Sequence, residues 1–315
     1  MLKILVTGAN GFIGSQVVKT SLQFGLNPVS QTRKSYIELP NNVVVDGLTE
    51  ETSWLMALEG VECVVHCSAL VHQMNNEAVY RDYYDTNVLG TENLARQAAD
   101  NGVKRFVFLS SIKVNGEYSA PNQPFRPDVD FIPDDFYGKS KYEAELRLQK
   151  ISEETGMEVV IIRPPLVYGP GVKANFLTLM KLTSRKLPLP FGSIDNRRSL
   201  VYVENLVDLV LNCCTNPQAA GKTFLVSDNQ DVSTRCLLKE IAKAMRVKSY
   251  LIPVPRAVFK LAATVMRKPE LEVKLFGFLQ VDISDTNKVL GWEPPYSFED
   301  GIQKTVDDFL ANKNS

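Results

Sequence analysis

Histidine is nearly absent from this chain: its 315 residues include two, His66 and His72. Cysteine is sparse as well, at the five positions 63, 67, 213, 214 and 236. A thiolate–imidazole metal site needs clustered ligands, and Cys63 and Cys67, flanking "VVH" in a strand-like run, have too few neighbours of that kind. An odd number of cysteines lying mostly within apolar runs indicates reduced, buried thiols and a reducing compartment, so the expected location is cytoplasmic. Net charge is missing too. Lys and Arg total 35 against 36 Asp and Glu, a formal charge of −1. That balance excludes a global basic field for nucleic acid or an anionic membrane. No apolar run reaches the ~18–20 residues that span a bilayer. The longest suspect, "AVFKLAATVMRK" (257–268), is broken by Lys260, Arg267 and Lys268 and reads as an amphipathic helix covering a core. Met1 leads straight into "LKILVTG", with no charged-then-apolar leader.

What is present is a globular composition, 44% hydrophobic and 23% charged, over a length that suits two lobes. In the first half, apolar β-branched runs alternate with helical spacing. "KILVTG" (3–8), "ECVVHCSA" (62–69), "RFVFLSS" (105–111) and "EVVIIRP" (158–164) read as strands, and 14–25, 85–101 and 137–155 as helices. Strands apolar on both faces, alternating with helices, imply an α/β fold with a buried parallel sheet. After Pro164 the connectors turn Pro/Gly-rich. "SLVYVENLVDLVLNC" then reads as a strand and helix, "GKTFLVSD" (221–228) as a strand, and from about 229 onward the elements are mainly helical. The expected organisation is a sheet-rich domain over 1–165, to which 199–228 returns, and a smaller, mainly helical lobe over 166–315. Ligands are expected in the cleft between them.

"VTGANGFIG" joins the first strand to the first helix and sets Gly8, Gly11 and Gly14 three apart. Glycine permits a tight turn and a close approach of backbone to pyrophosphate. The helix N-terminus adds unpaired N–H groups and the positive end of its dipole. With a strand before it and a helix after it, this segment is a dinucleotide cradle formed by Gly8, Asn10, Gly11, Phe12, Ile13 and Gly14.

Together with "SS" at 110–111 and "YGKSK" at 137–141, that cradle resembles the extended short-chain dehydrogenase/reductase family. More narrowly it resembles the nucleotide-sugar epimerase/dehydratase/reductase group, from residue 1 to about residue 300. The resemblance implies a Rossmann-type doubly wound sheet, a nicotinamide cofactor and a nucleoside-diphosphate sugar. Tyr137 and Lys141, four apart, share a helix face. A phenol ionises near pH ~10, and a nearby ammonium and an oxidised nicotinamide favour the phenolate. It can then exchange a proton at a sugar oxygen while hydride moves at the attached carbon. The family pattern makes Ser111, five before Gly116, the hydroxyl that orients the substrate, with Ser110 as its alternative. It also implies cofactor contacts from Ser68, Ala69 and Leu70, from Asn87 in "DTNVLGT", from Pro165 in "RPPLVYG", and from Asp46 in "VDGL", where Gly47 interrupts the usual acid–aliphatic pair.

The stretch "QTRKS" (31–35) bears on the coenzyme. NAD-binding chains end the second strand with an acid that grips the adenosine ribose. If that strand is "NPVSQT" (27–32), Thr32 stands in the acid's place, beside Arg33 and Lys34. No carboxylate there repels a 2′-phosphate, and two cations can hold one, so NADP(H) is favoured over NAD.

On the substrate side the resemblance implies that Arg198 in "NRRSLVYV", with Arg197 as its alternative, meets a phosphate. Asn175 and Phe176 match a substrate-contacting pair, and Leu189 to Phe191 flank the nucleoside base. A second phosphate-binding arginine common in the group's epimerases is missing from 269–284, where Lys274 is the candidate substitute. Dehydratases of the group carry Asp-Glu after the active hydroxyl residue, whereas this chain has Ile112 and Lys113. The expectation is therefore a 4-reductase of a UDP-4-keto-6-deoxy-N-acetylhexosamine in surface-polysaccharide synthesis, with a UDP-hexose 4-epimerase as the alternative. A non-catalytic cofactor-sensing regulator is the further alternative, although such proteins ordinarily lack the tyrosine–lysine pair. By analogy the chain is expected to form a homodimer through the helices at about 85–101 and 137–155.

Overall fold

The first apolar run, Lys3–Thr7 (β1), lies in the middle of a sheet, and its Ile4, Leu5 and Val6 expose no surface. The structure is a computed structural model that describes residues 1–71, 79–267 and 270–313. On one side of β1 stand β2 (Asn27–Thr32) and β3 (Asn42–Val44). On the other stand β4 (Cys63–His66), β5 (Arg105–Leu109), β6 (Glu158–Arg163) and, at the far edge, β9 (Thr223–Leu225). All six pairings are parallel. Because side chains alternate across a strand, each face needs its own cover. Ile4 and Val6 pack with α1 (Phe12–Gln23) and α7 (Val203–Thr215). Leu5 packs on the other face with α4 (Gly90–Asp100) and α5 (Phe136–Thr155). The remaining helices of the first half, α2 (Leu55–Leu58) and α3 (Tyr80–Tyr83), are single turns.

A second sheet holds β7 (Leu166–Tyr168), β8 (Arg198–Tyr202) and β10 (Asp231–Val232). β7 and β8 are parallel, and β8 and β10 antiparallel. Pro164 and Pro165 lack the N–H that would continue β6, so the chain leaves the large sheet there. The segment expected to return is divided. β8 joins the small sheet, while α7 covers the large one and β9 extends it. Asp228 ties the two sheets together. Its carboxylate accepts from the Tyr202 N–H and the Asn205 amide at 2.8 Å each, and from the Tyr168 hydroxyl at 2.7 Å.

The C-terminal lobe adds α6 (Ala174–Ser184), α8 (Thr234–Ala244), α9 (Arg256–Val265), α10 (Glu270–Phe276), α11 (Ser284–Leu290) and α12 (Phe298–Lys313). Two elements differ from the sequence reading. The helix expected over 85–101 opens with a π-helical turn, Tyr84–Leu89, before α4 begins. Among its described side chains, α9 turns inward Phe259, which meets Phe276 edge-on, and Ala263, while Val258, Leu261 and Val265 are exposed. No described helix is long and apolar enough to cross a membrane. The chain's connections diverge at the carboxyl ends of β1 and β4, which opens the crevice where doubly wound sheets bind ligands.

Candidate active site

The glycine turn fills that crevice's floor. Gly8 has φ +64°, which a side chain strains to adopt, and a Cβ there would stand 2.9 Å from the Ser68 hydroxyl. A Cβ on Gly14 would collide with the Gly8 carbonyl, so α1 seats directly on the turn. α1 starts at Gly11 with no side-chain cap and no acid in its first turn, leaving its first N–H groups to an anion. Phe12 and Ile13 are half-buried in that turn, whereas Asn10 is exposed and donates to the Tyr36 hydroxyl at 3.0 Å. Support comes from Gln31, whose amide oxygen accepts the Gly8 N–H (3.0 Å) while its nitrogen donates to the Val45 carbonyl (3.0 Å).

Thr32 ends β2, as expected, and is buried. Its hydroxyl donates to the Lys34 carbonyl at 2.6 Å and accepts from the Asn42 amide at 2.8 Å, shaping the turn in which Arg33 and Lys34 stand exposed. Gly47, with φ +88°, turns Asp46 outward to solvent and Leu48 inward.

The loop after β4 is fixed at both ends. The Thr7 hydroxyl accepts from the Cys67 and Ser68 N–H groups, both at 3.1 Å. Asn87, in the π-helical turn, accepts from Leu70 N–H (2.7 Å) and donates to Leu70 carbonyl and to Ser140 Oγ (3.0 Å each). The Asn87 side chain therefore holds the loop that carries Ser68, Ala69 and Leu70. π-turns recur at functional sites, where one extra residue re-aims a side chain. The imidazole of His66 lies between Thr7 (2.8 Å) and Thr91 (3.0 Å) and stacks on Phe108, so it serves the core. Burial first, then the Lys141 charge, lowers its pKa to about 3. All five cysteines are free thiols. His72 lies outside the described residues, and among those described no His/Cys/Asp/Glu group has the makings of a metal site.

β5 delivers the two serines to different jobs. Ser110 is buried and donates to Glu145 at 2.5 Å. Glu145 in turn is gripped by Arg163, at 2.9 and 2.6 Å, in an ion pair 2% and 6% exposed. Ser111 is half-buried and caps the short 3-10 turn Ile112–Val114, accepting from Lys113 N–H at 3.2 Å. Pro165 follows in the buried bend where the Pro164 carbonyl accepts the Ile112 N–H (3.0 Å).

Tyr137 and Lys141 lie in the first two turns of α5, whose cap is Asp135. Burial, then the neighbouring Asp135 carboxylate and Tyr83, push the Tyr137 phenol above its ordinary value. Lys141 donates to the Leu109 carbonyl at 2.8 Å and stands 4.4 Å over the Phe108 ring. Burial lowers its pKa to about 8, against the opposing effects of Cys67 and Glu145. The Lys141 ammonium is turned to that carbonyl and is not among the groups that shift the phenol.

The glycine cradle, the buried Lys141 and the capped start of the helix that carries Tyr137 all lie at the carboxyl ends of the parallel strands. The model of the NAD dependent epimerase/dehydratase family matches residues 4–227, from β1 to just past β9. The chain belongs to that family. It is 43% identical over 316 residues to the UDP-glucose 4-epimerase of Vibrio cholerae, covering 99% of this chain and 96% of that protein. It is 26% identical to the N-acetyl-alpha-D-glucosaminyl-diphospho-ditrans,octacis-undecaprenol 4-epimerase of Escherichia coli O157:H7, over 96% of this chain and 94% of that one. Among solved structures, UDP-glucuronic acid 4-epimerase from Bacillus cereus in complex with NAD has the same fold. The TM-score is 0.80 at 20% identity, and 99% of each chain is covered. As a member of the epimerase/dehydratase family, the protein is an NAD(P)-dependent enzyme. Its residues fit such a cofactor: side chains are absent where Gly8 and Gly14 close the turn, and α1 is uncapped where a pyrophosphate binds.

The residues expected on the sugar-nucleotide side divide. Asn175 is exposed in the first turn of α6, and Leu189 and Phe191 are half-exposed on a segment that pairs with 250–252. Arg198 is half-buried. Its guanidinium donates to the Gly277 (3.2 Å) and Lys274 (2.8 Å) carbonyls, and burial lowers its pKa. Arg197 is exposed. Phe176 corrects the expectation: it is 1% exposed and stacks on Tyr168 with centroids 5.3 Å apart. It is the inward position of α6, so its ring has no free face for a ligand. Sequence reasoning passes over Thr7, Gln31, Ser140, Glu145 and Arg163. Their partners lie up to 61 residues away, and no local pattern marks them.

Proposed function

We propose that the protein transfers hydride at the fourth carbon of a UDP-hexose. Tyr137 exchanges the proton of the attached oxygen, Ser111 orients that oxygen, and Lys141 assists. The observation that supports this reading is the placement of the glycine cradle, Ser111 and the start of α5 at the carboxyl ends of the same parallel strands. The nicotinamide ring, when bound, supplies the hydride acceptor and donor. Tyr137 in its protonated form is set to donate to a ketone oxygen. Taking the proton back from an alcohol needs the phenolate, which a positive charge brought to the site would favour. Ser111 presents a hydroxyl whose partner in the protein is one backbone N–H, leaving it able to donate.

Two outcomes share this chemistry. 4-Epimerisation returns the hydride to the turned keto intermediate, and it is favoured by the 43% identity to a UDP-glucose 4-epimerase along nearly the whole chain. 4-Reduction of a UDP-4-keto-6-deoxy sugar consumes reductant, and it is favoured by the Thr32–Lys34 turn, where no acid repels the 2′-phosphate of NADPH. The test supplies UDP-glucose or UDP-N-acetylglucosamine in one arm, followed by product analysis. The other arm supplies a UDP-4-keto-6-deoxy-hexosamine with NADPH or NADH, followed at 340 nm. Epimer formation without absorbance change identifies the first outcome, and keto-sugar-dependent oxidation of NADPH the second. Tyr137→Phe is expected to lower either rate by roughly 10²–10⁴-fold while cofactor still binds. An unchanged rate would remove the tyrosine from the chemistry.

A further inference from the structure

We propose that Lys113 and Asp135 form a positioning brace that fixes the separation between the Ser111 hydroxyl and the Tyr137 phenol. The inference rests on the reading of those two groups as the pair that meets the sugar oxygen. They arrive from different elements. Ser111 follows β5 and caps the turn that contains Lys113, accepting the Lys113 N–H at 3.2 Å. Tyr137 lies in the first turn of α5, where the Asp135 side chain accepts the Gly138 N–H at 3.0 Å. The Lys113 ammonium donates to that same Asp135 oxygen at 3.0 Å and to Glu117 at 3.3 Å. One carboxylate oxygen therefore joins the turn after Ser111 to the turn that holds Tyr137.

The backbones meet at the same point. A Cβ on Gly138 would stand 2.9 Å from the Lys113 carbonyl, so α5 begins in direct contact with the Lys113 main chain. The side chains are 31% and 22% exposed, and the pair is sheltered compared with a solvated surface pair. An asparagine at 135 keeps an oxygen for the cap and removes the negative charge that strengthens the tie to the ammonium. That separates helix formation from positioning. Misplacing a reacting group by about 1 Å is enough to cost a large factor in rate.

The experiment uses the full chain and the variants Lys113→Met, Lys113→Arg, Asp135→Asn and Lys113→Met/Asp135→Asn. In steady-state kinetics on the sugar that the wild type turns over, Lys113→Met and Asp135→Asn are expected to lower kcat roughly tenfold with KM little changed. Lys113→Arg is expected to recover most of the rate, and the double variant to be no slower than either single one. Amide exchange at Gly138 and Lys139 is expected to quicken in Lys113→Met and Asp135→Asn but not in Lys113→Arg. Unchanged exchange at those amides, or kcat losses that multiply in the double variant, would overturn the brace. A wild-type protein inert on both sugars would overturn the functional reading alone, and the exchange measurement would still decide the brace.

Discussion

At the scale of single residues, charge placement decides more than residue type. Arg33 and Lys34 are exposed beside a turn that Thr32 closes with its hydroxyl, at the carboxyl end of β2. If they hold a 2′-phosphate, Arg33→Ala removes a charge-assisted bond worth about 1.5–3 kcal/mol. The expected result is roughly a tenfold or greater loss of NADPH affinity, with NADH affinity nearly unchanged. Fluorescence titration with both coenzymes checks it, and equal losses would count against the assignment. His66 makes a different residue-scale prediction. Its folded pKa of about 3 lies below the ordinary 6.5, so between those values the unfolded chain binds a proton that the folded chain refuses. Stability is therefore fully present above about pH 6.5 and falls as pH drops towards 3. From pH 7 to 4.5 the loss attributable to this residue is about 2–3 kcal/mol. Urea unfolding of the wild type and of His66→Gln at both pH values checks it, the variant being the less pH-sensitive of the two.

At the scale of elements, the site depends on side chains that fasten one loop to another. Asn87 satisfies both the N–H and the carbonyl of Leu70 from within the π-helical turn. Asn87→Ala leaves those groups unpaired and is expected to cost about 2–3 kcal/mol in denaturant unfolding and to weaken dinucleotide binding as the loop after β4 loosens. Unaltered cofactor affinity would confine Asn87 to the fold. Such fastenings mark the limit of what the chain declares in one dimension. The large sheet was legible because strands buried on both faces leave long apolar runs, and the cradle because glycine spacing is local. The partition of Ser110 from Ser111 was only half legible. Both end the same strand, and it is Glu145, held by Arg163 from β6, that claims Ser110. The π-helical turn was hidden, because a single extra residue leaves the apolar spacing of 85–101 looking like an ordinary helix. Phe176 was misassigned because an aromatic in a first helical turn reads alike whether it faces a ligand or a core.

At the scale of the whole molecule, two sheets are joined by one buried carboxylate. Asp228 accepts from Tyr168, Tyr202 and Asn205, and burial raises its pKa. Asp228→Ala removes the shared acceptor of Tyr168 and Tyr202 in the small sheet and Asn205 in α7. It is expected to cost at least 3 kcal/mol and to broaden thermal unfolding as the sheets lose their coupling. Calorimetry that kept a single sharp transition at the wild-type temperature would refute this. The order of the chain through the sheets has a further effect. β9 and α7 complete the cofactor half only after β7, α6 and β8 of the other sheet have been laid down. On the ribosome, the face of the central strand that carries Ile4 and Val6 has α1 but lacks α7 until some two hundred residues have emerged. The nascent chain therefore carries a half-covered apolar sheet face through most of its synthesis, and such a face is prone to aggregate until the fold closes.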